Sequence, residues 1–198
     1  MRKVDKTKKR ASITDAAFIA FARRGVDRAT LMDVAKEAGI SAGLICWYFE
    51  SKDQLEDATF KVLVERRARF FEKYTEGSQP AREKIKGLFH ATLADYKKPD
   101  SMAYMRFELA AGLIRHARFR EMFLEQDRLC VAMVVQVVQD GIKSGEFAAG
   151  TDARKVGRAL VALLDGFWTQ WTDIGSAAEF EALVMDAMQR CLGMYLKA

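Results

Sequence analysis

Proline is nearly absent from the 198 residues: only Pro80 and Pro99 occur. Long helices therefore meet few forced breaks. Cysteine is scarce and odd in number, with Cys46, Cys130 and Cys191 far apart and no C-x-x-C pair. With His90 and His116 the only histidines, zinc-ligand spacing is missing and no disulfide scaffold is expected. The thiols read as buried or idle. No run approaches the roughly 20 apolar residues that span a bilayer. The start, MRKVDKTKKR, is basic, but no apolar segment follows it. It does not read as a secretory signal, and the expectation is a cytoplasmic chain with no membrane contact. G-x-S-x-G, Walker, H-E-x-x-H and Gly-rich dinucleotide motifs are all missing. The sequence thus names no catalytic residue, no metal ligand and no cofactor.

Half the residues are apolar, enough for a core that buries roughly 70% of the unfolded surface. The net charge is +5, and residues 1–52 carry all of it: 11 Lys and Arg against 6 Asp and Glu. Residues 53–198 are neutral, with 21 of each sign. A basic segment of this kind marks a polyanion-binding end or a solvated tail.

Apolar residues recur at helical spacing almost throughout. The spacing predicts an all-α fold of about nine helices: 8–24, 31–38, 42–48, 52–74, 81–97, 101–116, 118–144, 152–174 and 177–196. Thr30 with Asp33, Ser51 with Gln54 and Ser176 with Glu179 fit capping boxes or their Asp variant. Gly25, Gly39, Gly145 and Gly175 stand where left-handed caps are expected. The domain expectation is 1–52 for an N-terminal three-helix unit and 53–198 for the rest.

In the first unit, Ile13, Ala17, Ala20 and Phe21 share a helix face, as do Leu31, Val34, Ala35 and Ala38. Gly39-Ile40-Ser41 is a three-residue turn, with Ile40 plugging the core and Ser41 capping the next helix. Ile45 and Phe49 face inward. Ala42, Gly43, Cys46 and Trp47 face outward, with Leu44 and Tyr48 at the margins. Helix, glycine turn, short helix is either an ordinary αα corner or a DNA-reading helix-turn-helix. The basic segment, two adjacent aromatics and Lys52 at the next helix start favour DNA.

The stretch TLMDVAKEAGISAGLICWYFESKDQL, from Thr30 to Leu55, resembles the signature of the tetracycline-repressor (TetR) family. Cys46 departs from it, since the family usually has Tyr there. Ile45, Cys46 and the aromatics after them are similar to the choline-responsive BetI-type branch. LVALLDGFW, Leu160 to Trp168, is similar to that branch's C-terminal region. The resemblance implies a ligand-responsive regulator, most often a repressor, bound as a homodimer to a palindromic double-stranded DNA operator. It implies that Thr30 and Ser41 contact phosphates and that Ala42, Gly43, Leu44 and Trp47 lie toward base edges. Tyr48 and Lys52 would hold the DNA backbone. Positions 42–48 contain no Arg, Lys, Asn or Gln, so bidentate base readout is missing. Specificity is then left to thymine methyls, Ser41 or DNA shape.

The resemblance further implies an effector pocket enclosed by helices five to eight, with Tyr104, Phe107, Glu108, Phe123, Phe167 and Trp171 as candidate lining. Aromatics around a carboxylate suit an organic cation; a neutral apolar effector is the rival. Helix 152–174 is apolar on more than one side, and helix 177–196 carries a second stripe. Such helices suit a four-helix bundle across a two-fold axis. Val161, Asp165, Gly166, Trp168, Leu183 and Ala187 are the candidate dimer contacts, with Gly157 and Gly166 allowing close approach. A helical adaptor that never meets DNA and an all-helical enzyme are the rival functions, and sequence does not separate repressor from activator.

Overall fold

The protein is described by a computed structural model covering residues 3–98, 101–112, 117–168, 170 and 176–195. Among these residues there are helices and no strands. They are α1 (Lys3–Arg24), α2 (Leu31–Ala38), α3 (Ala42–Tyr48), α4 (Lys52–Thr75), α5 (Ala81–Tyr96), α6 (Met102–Gly112), α7 (Ala117–Ser144), α8 (Ala153–Trp168) and α9 (Ala177–Gly193). The all-α expectation holds. The largest difference is α1, which begins at Lys3, so the basic start is helical. Lys and Arg are good helix formers, and nothing before Gly25 breaks the helix. Helix six is described only to Gly112 and helix eight to Trp168. His116, Gly175 and Trp171 lie outside the described residues.

The contacts divide the chain into two compact units, and neither follows chain order. The first comprises residues 1–66 and 98–123. Its core joins Ile13, Ala17, Phe18 and Phe21 of α1 to Val34, Ile45, Phe49, Leu55, Phe60, Met105, Leu109 and Phe119. Full burial of each large side chain contributes roughly 1.5–3 kcal/mol. Ile40 is half-buried against this core. Arg66 closes one side of α1, 2.7 Å from Asp15 and stacked over Phe18. At Gly112 a Cβ would come within 2.3 Å of Phe119, so only glycine lets that ring in.

The second unit comprises residues 67–97 and 124–198. Within it α9 packs on α5 and α8. Its core contains Leu88, Phe89, Val134, Val138, Leu160, Leu164, Phe180, Val184 and Met188. A Cβ on Gly157 would lie 2.6 Å from Val135 Cγ2 and 3.1 Å from its backbone nitrogen. The close approach expected of Gly157 is thus made inside the protomer, between α7 and α8. Among the described residues no helix is long and apolar enough to cross a membrane.

Candidate nucleic-acid interface

Thr30 opens α2 in a full capping box. Its Oγ1 accepts from Asp33 N at 3.2 Å and donates to Asp33 Oδ2 at 2.8 Å, and Oδ2 also accepts from Thr30 N at 2.9 Å. These bonds, aided by Arg24 at 3.0 Å, hold the Asp33 carboxyl below its ordinary value, the Thr30 backbone bond being the largest cause. Gly39 closes α2 in the left-handed region, φ 63°, with its N–H on the Ala35 and Lys36 carbonyls. That conformation favours glycine because it lacks a Cβ. Ser41 then caps α3, its hydroxyl accepting from Leu44 N at 3.3 Å.

The exposed side of α3 presents Gly43, Cys46 and Trp47, with Ala42 and Leu44 half-buried. Nothing lies within 4 Å of a Cβ built on Gly43 except the Ser41 hydroxyl, at 4.0 Å. Trp47 is 57% exposed, unusual for the largest side chain on a helix of seven residues. Tyr48 corrects the sequence expectation. It is only 6% exposed, since it faces the same core as Ile45 and turns its ring edge-on to Trp47 at 4.7 Å. Its carbonyl is engaged as well, at the end of α3.

The partner of that carbonyl was missed from sequence. Arg10 donates to Tyr48 O at 2.6 Å and lays its guanidinium over Phe49 at 4.1 Å. One turn earlier, Lys6 sits over the Trp47 ring at 4.7 Å. The i, i+4 spacing of Lys6 and Arg10 was the available signal, once α1 is continued through the basic start.

Lys52 is placed differently from a phosphate-seeking lysine. Its Nζ donates to Val26 O at 2.7 Å and Asp27 O at 3.3 Å, and Glu56 lies 3.6 Å away. It ties the α1–α2 turn to the start of α4. Glu56 is itself buried, which pushes its carboxyl up despite Lys52 and Arg118.

The effector candidates are corrected in part. Glu108 accepts from Val26 N at 2.9 Å through Oε2 and lies 3.5 Å from where a Gly25 Cβ would sit. Its carboxylate accepts from the backbone just past the end of α1, so part of its acceptor capacity is used within the protein. Phe123 already carries the Arg106 guanidinium at 4.4 Å. Phe107 is 46% exposed, because it faces away from the core that holds Met105 and Leu109. Tyr104 and Phe167 are half-buried, Phe167 edge-on to Phe180 at 6.1 Å. Trp171 lies outside the described residues.

The dimer candidates also divide. Val161 is 1% exposed and belongs to the protomer core, because the α8 side that holds it packs inward. Asp165 pairs with Arg67 at 3.1 Å. Gly166 is exposed with nothing near its Cβ position, Leu183 is exposed and Ala187 is half-buried. Nothing is described for the Trp168 side chain. Between α8 and α9 runs an open groove of about 680 Å³ lined by Ala159, Ala162, Leu163, Ala187, Cys191 and Met194 among others.

Residues 13–59 match the family "Bacterial regulatory proteins, tetR family". Residues 81–193, more than half the chain, match "BetI-type transcriptional repressor, C-terminal". The chain is similar to the HTH-type transcriptional regulator TtgR of Pseudomonas putida, 25% identical over 169 residues, which cover 82% of this chain and 79% of that protein. A TetR transcriptional regulator from Chloroflexus aurantiacus shares the fold at TM-score 0.85 and 20% identity, with both chains fully covered. The regulator FadR from Bacillus subtilis, solved in complex with stearoyl-CoA, does so at TM-score 0.72 and 22% identity, over 91% of this chain and 96% of that one. The chain belongs to the tetR family of bacterial regulatory proteins and carries a BetI-type repressor C-terminal domain; it is a DNA-binding transcriptional regulator of the repressor class and not an enzyme.

Proposed function

We propose that the protein works in the cytoplasm as a homodimer on a palindromic operator, with residues 1–52 as the reading head and residues 53–198 for dimerisation and effector binding. The observation that carries the head assignment is the exposed Trp47 beside an uncovered Gly43 on a helix capped by Ser41. Hydroxyls and backbone N–H groups at the starts of α2 and α3 suit phosphates. Thr30 and Ser41 take that role, and Ala42, Gly43, Leu44 and Trp47 take the base edges. Lys52 acts chiefly by holding the head, since its donors already have backbone acceptors. Lys6 and Arg10 extend the basic surface to the end of α3.

The α8–α9 groove supports a two-fold partner there. Small side chains at Ala159, Ala162 and Ala187 let helices approach closely. The commitment of Glu108 to Val26 and of Phe123 to Arg106 favours an apolar effector over an organic cation. An acyl ligand such as that of the Bacillus subtilis regulator is one example of the class.

The test is retardation of DNA from the gene's own upstream region at increasing salt. Binding should fall steeply with salt, and the retarded species should contain two chains whose heads sit about 34–36 Å apart, or at a larger spacing in phase with the major groove. Failure to retard any duplex at low salt overturns the reading.

A further inference from the structure

Trp47 is the largest side chain on the exposed side of α3, and the preceding turn of its own helix does not support it. Long side chains on a helix lean back over the residues three and four positions earlier. Four positions earlier stands Gly43, and only the Ser41 hydroxyl comes within 4 Å of a Cβ built there. The indole therefore does not rest on Gly43. It is 57% exposed. A side chain with so little cover exchanges among its staggered rotamers unless neighbours select one. Each rotamer would present a different edge of the indole to a groove.

Two neighbours select one here. Tyr48, itself buried, sets its ring edge-on to the indole at 4.7 Å. Lys6 of α1 places its ammonium over the indole ring, 4.7 Å from the centroid. The negative face of the ring attracts that charge. The helix that delivers Lys6 is itself pinned. One turn further on, Arg10 donates to Tyr48 O at 2.6 Å and lies over Phe49 at 4.1 Å. Lys6 thus reaches Trp47 from a helix fastened to the end of α3, within the same compact unit. The start of α1 also carries Lys8 and Lys9, but it is Lys6 that covers the ring.

We propose that Lys6 is a positioning residue for base recognition. It acts through Trp47, holding the indole in the orientation that meets base edges, and is more than one further phosphate-seeking cation. The proposal rests on the reading of α3 given above and adds to it a residue from outside the α2–α3 pair. Holding the ring in advance spares the cost of ordering it on binding. That gain goes to the duplex whose edges fit this orientation. An exposed contact of this kind corresponds to a bias of about two- to fivefold.

The experiment uses the full chain, a duplex from the gene's own upstream region and a shuffled duplex of equal length and composition. The two compete at one fixed salt concentration, and melting temperatures are read alongside. Lys6→Gln should lower the preference for the first duplex about two- to fivefold. Lys6→Arg keeps the charge and stacks on aromatic faces, so it should restore the preference. Lys8→Gln, two residues on and so on another side of α1, should weaken both duplexes alike and leave the preference unchanged. In a Trp47→Ala background, Lys6→Gln should alter the preference no further, because the residue it works through is gone. All the Lys6 and Lys8 variants should melt with the wild type, since both side chains are exposed. Equal effects of Lys6→Gln and Lys8→Gln on preference, Lys6→Arg behaving like Lys6→Gln, a full Lys6→Gln effect without the indole, or melting of Lys6→Gln well below wild type would each overturn the proposal. No wild-type preference, or one that Trp47→Ala leaves unchanged, would count against the reading of α3 and remove this inference with it. A preference that depends on Trp47 but not on Lys6 sinks only this inference.

Discussion

Lys52 and Glu108 hold the same residue from opposite sides. Glu108 Oε2 accepts from Val26 N at 2.9 Å, and Lys52 Nζ donates to Val26 O at 2.7 Å. Val26 follows Gly25, whose φ of 81° ends α1. The turn between α1 and α2 is therefore fixed by α6 and by the first residue of α4, both within one compact unit. Glu108→Ala leaves the Val26 N–H without its charged acceptor, a loss of about 1–2 kcal/mol. Glu108→Gln keeps an acceptor oxygen and should cost less. Urea unfolding of the two variants should rank them in that order, and equal midpoints would show that the bond carries no stability.

Arg10 ties α1 to the end of α3 through Tyr48 O and the face of Phe49. Arg10→Lys keeps the charge but loses the planar fork and the stack. It should lower stability by about 1 kcal/mol and weaken binding to every duplex alike. A change in operator preference, measured by competition between sequences, would contradict a purely positioning role.

Trp47→Ala should behave in the opposite way. The side chain is largely exposed, so stability should stay within about 0.5 kcal/mol of wild type. Preference among operators should change, because the proposed reading head turns this exposed indole toward base edges. Unaltered preference with unaltered affinity would remove Trp47 from the interface.

Two carboxyls give opposite pH slopes. Asp33 titrates below its ordinary 3.8 when folded, held chiefly by the Thr30 backbone bond. Its contribution is present above 3.8 and is lost as pH falls through the lower folded value. Glu56 titrates above its ordinary 4.5, chiefly through burial. Its contribution is present below 4.5 and is lost as pH rises through the raised value. Denaturation midpoints across the acid range should show Asp33→Asn flattening the fall at low pH. Glu56→Gln should remove a decline that wild type shows on going toward neutrality. The same slope in Glu56→Gln as in wild type would assign that decline elsewhere.

What the sequence made legible was local. Thr30 with Asp33, Gly39 and Ser41 each act within a few residues, and all three cap as their spacing predicts. Glu108 is singled out in the sequence as a carboxylate among aromatics; its hydrogen bond from Val26, 82 residues away in sequence, has no local signal. Tyr48 was misplaced because a short helix has few positions from which to fix its inward direction. In α8 the buried stripe of Val156, Leu160 and Leu164 is flanked by both Val161 and Ala162, two small apolar residues, so periodicity could not tell Val161, in the core, from Ala162, its exposed neighbour. The expected first helix starts at residue 8 and leaves Lys6 outside it, because charge patterning carries no signal for the Trp47 ring that Lys6 covers or the carbonyl that Arg10 reaches.

That contrast in α8 gives the last prediction. Ala162 lines the α8–α9 groove and Val161 does not. If the groove seats a second copy, a charge on its wall must be desolvated against the two-fold mate, which presents the same charge. Ala162→Glu should shift the chain from dimer to monomer in sedimentation at micromolar concentration, with helical content unchanged. Val161→Ala removes buried methyls inside the protomer and should lower stability by about 2 kcal/mol while leaving the dimer intact at temperatures below its melting. The pair separates interface from core. If Ala162→Glu stays dimeric, the two-fold contact lies on another face. If Val161→Ala dissociates the dimer before it loosens the fold, the inward side of α8 transmits to the interface, and the small-residue groove is not sufficient to hold the two copies together.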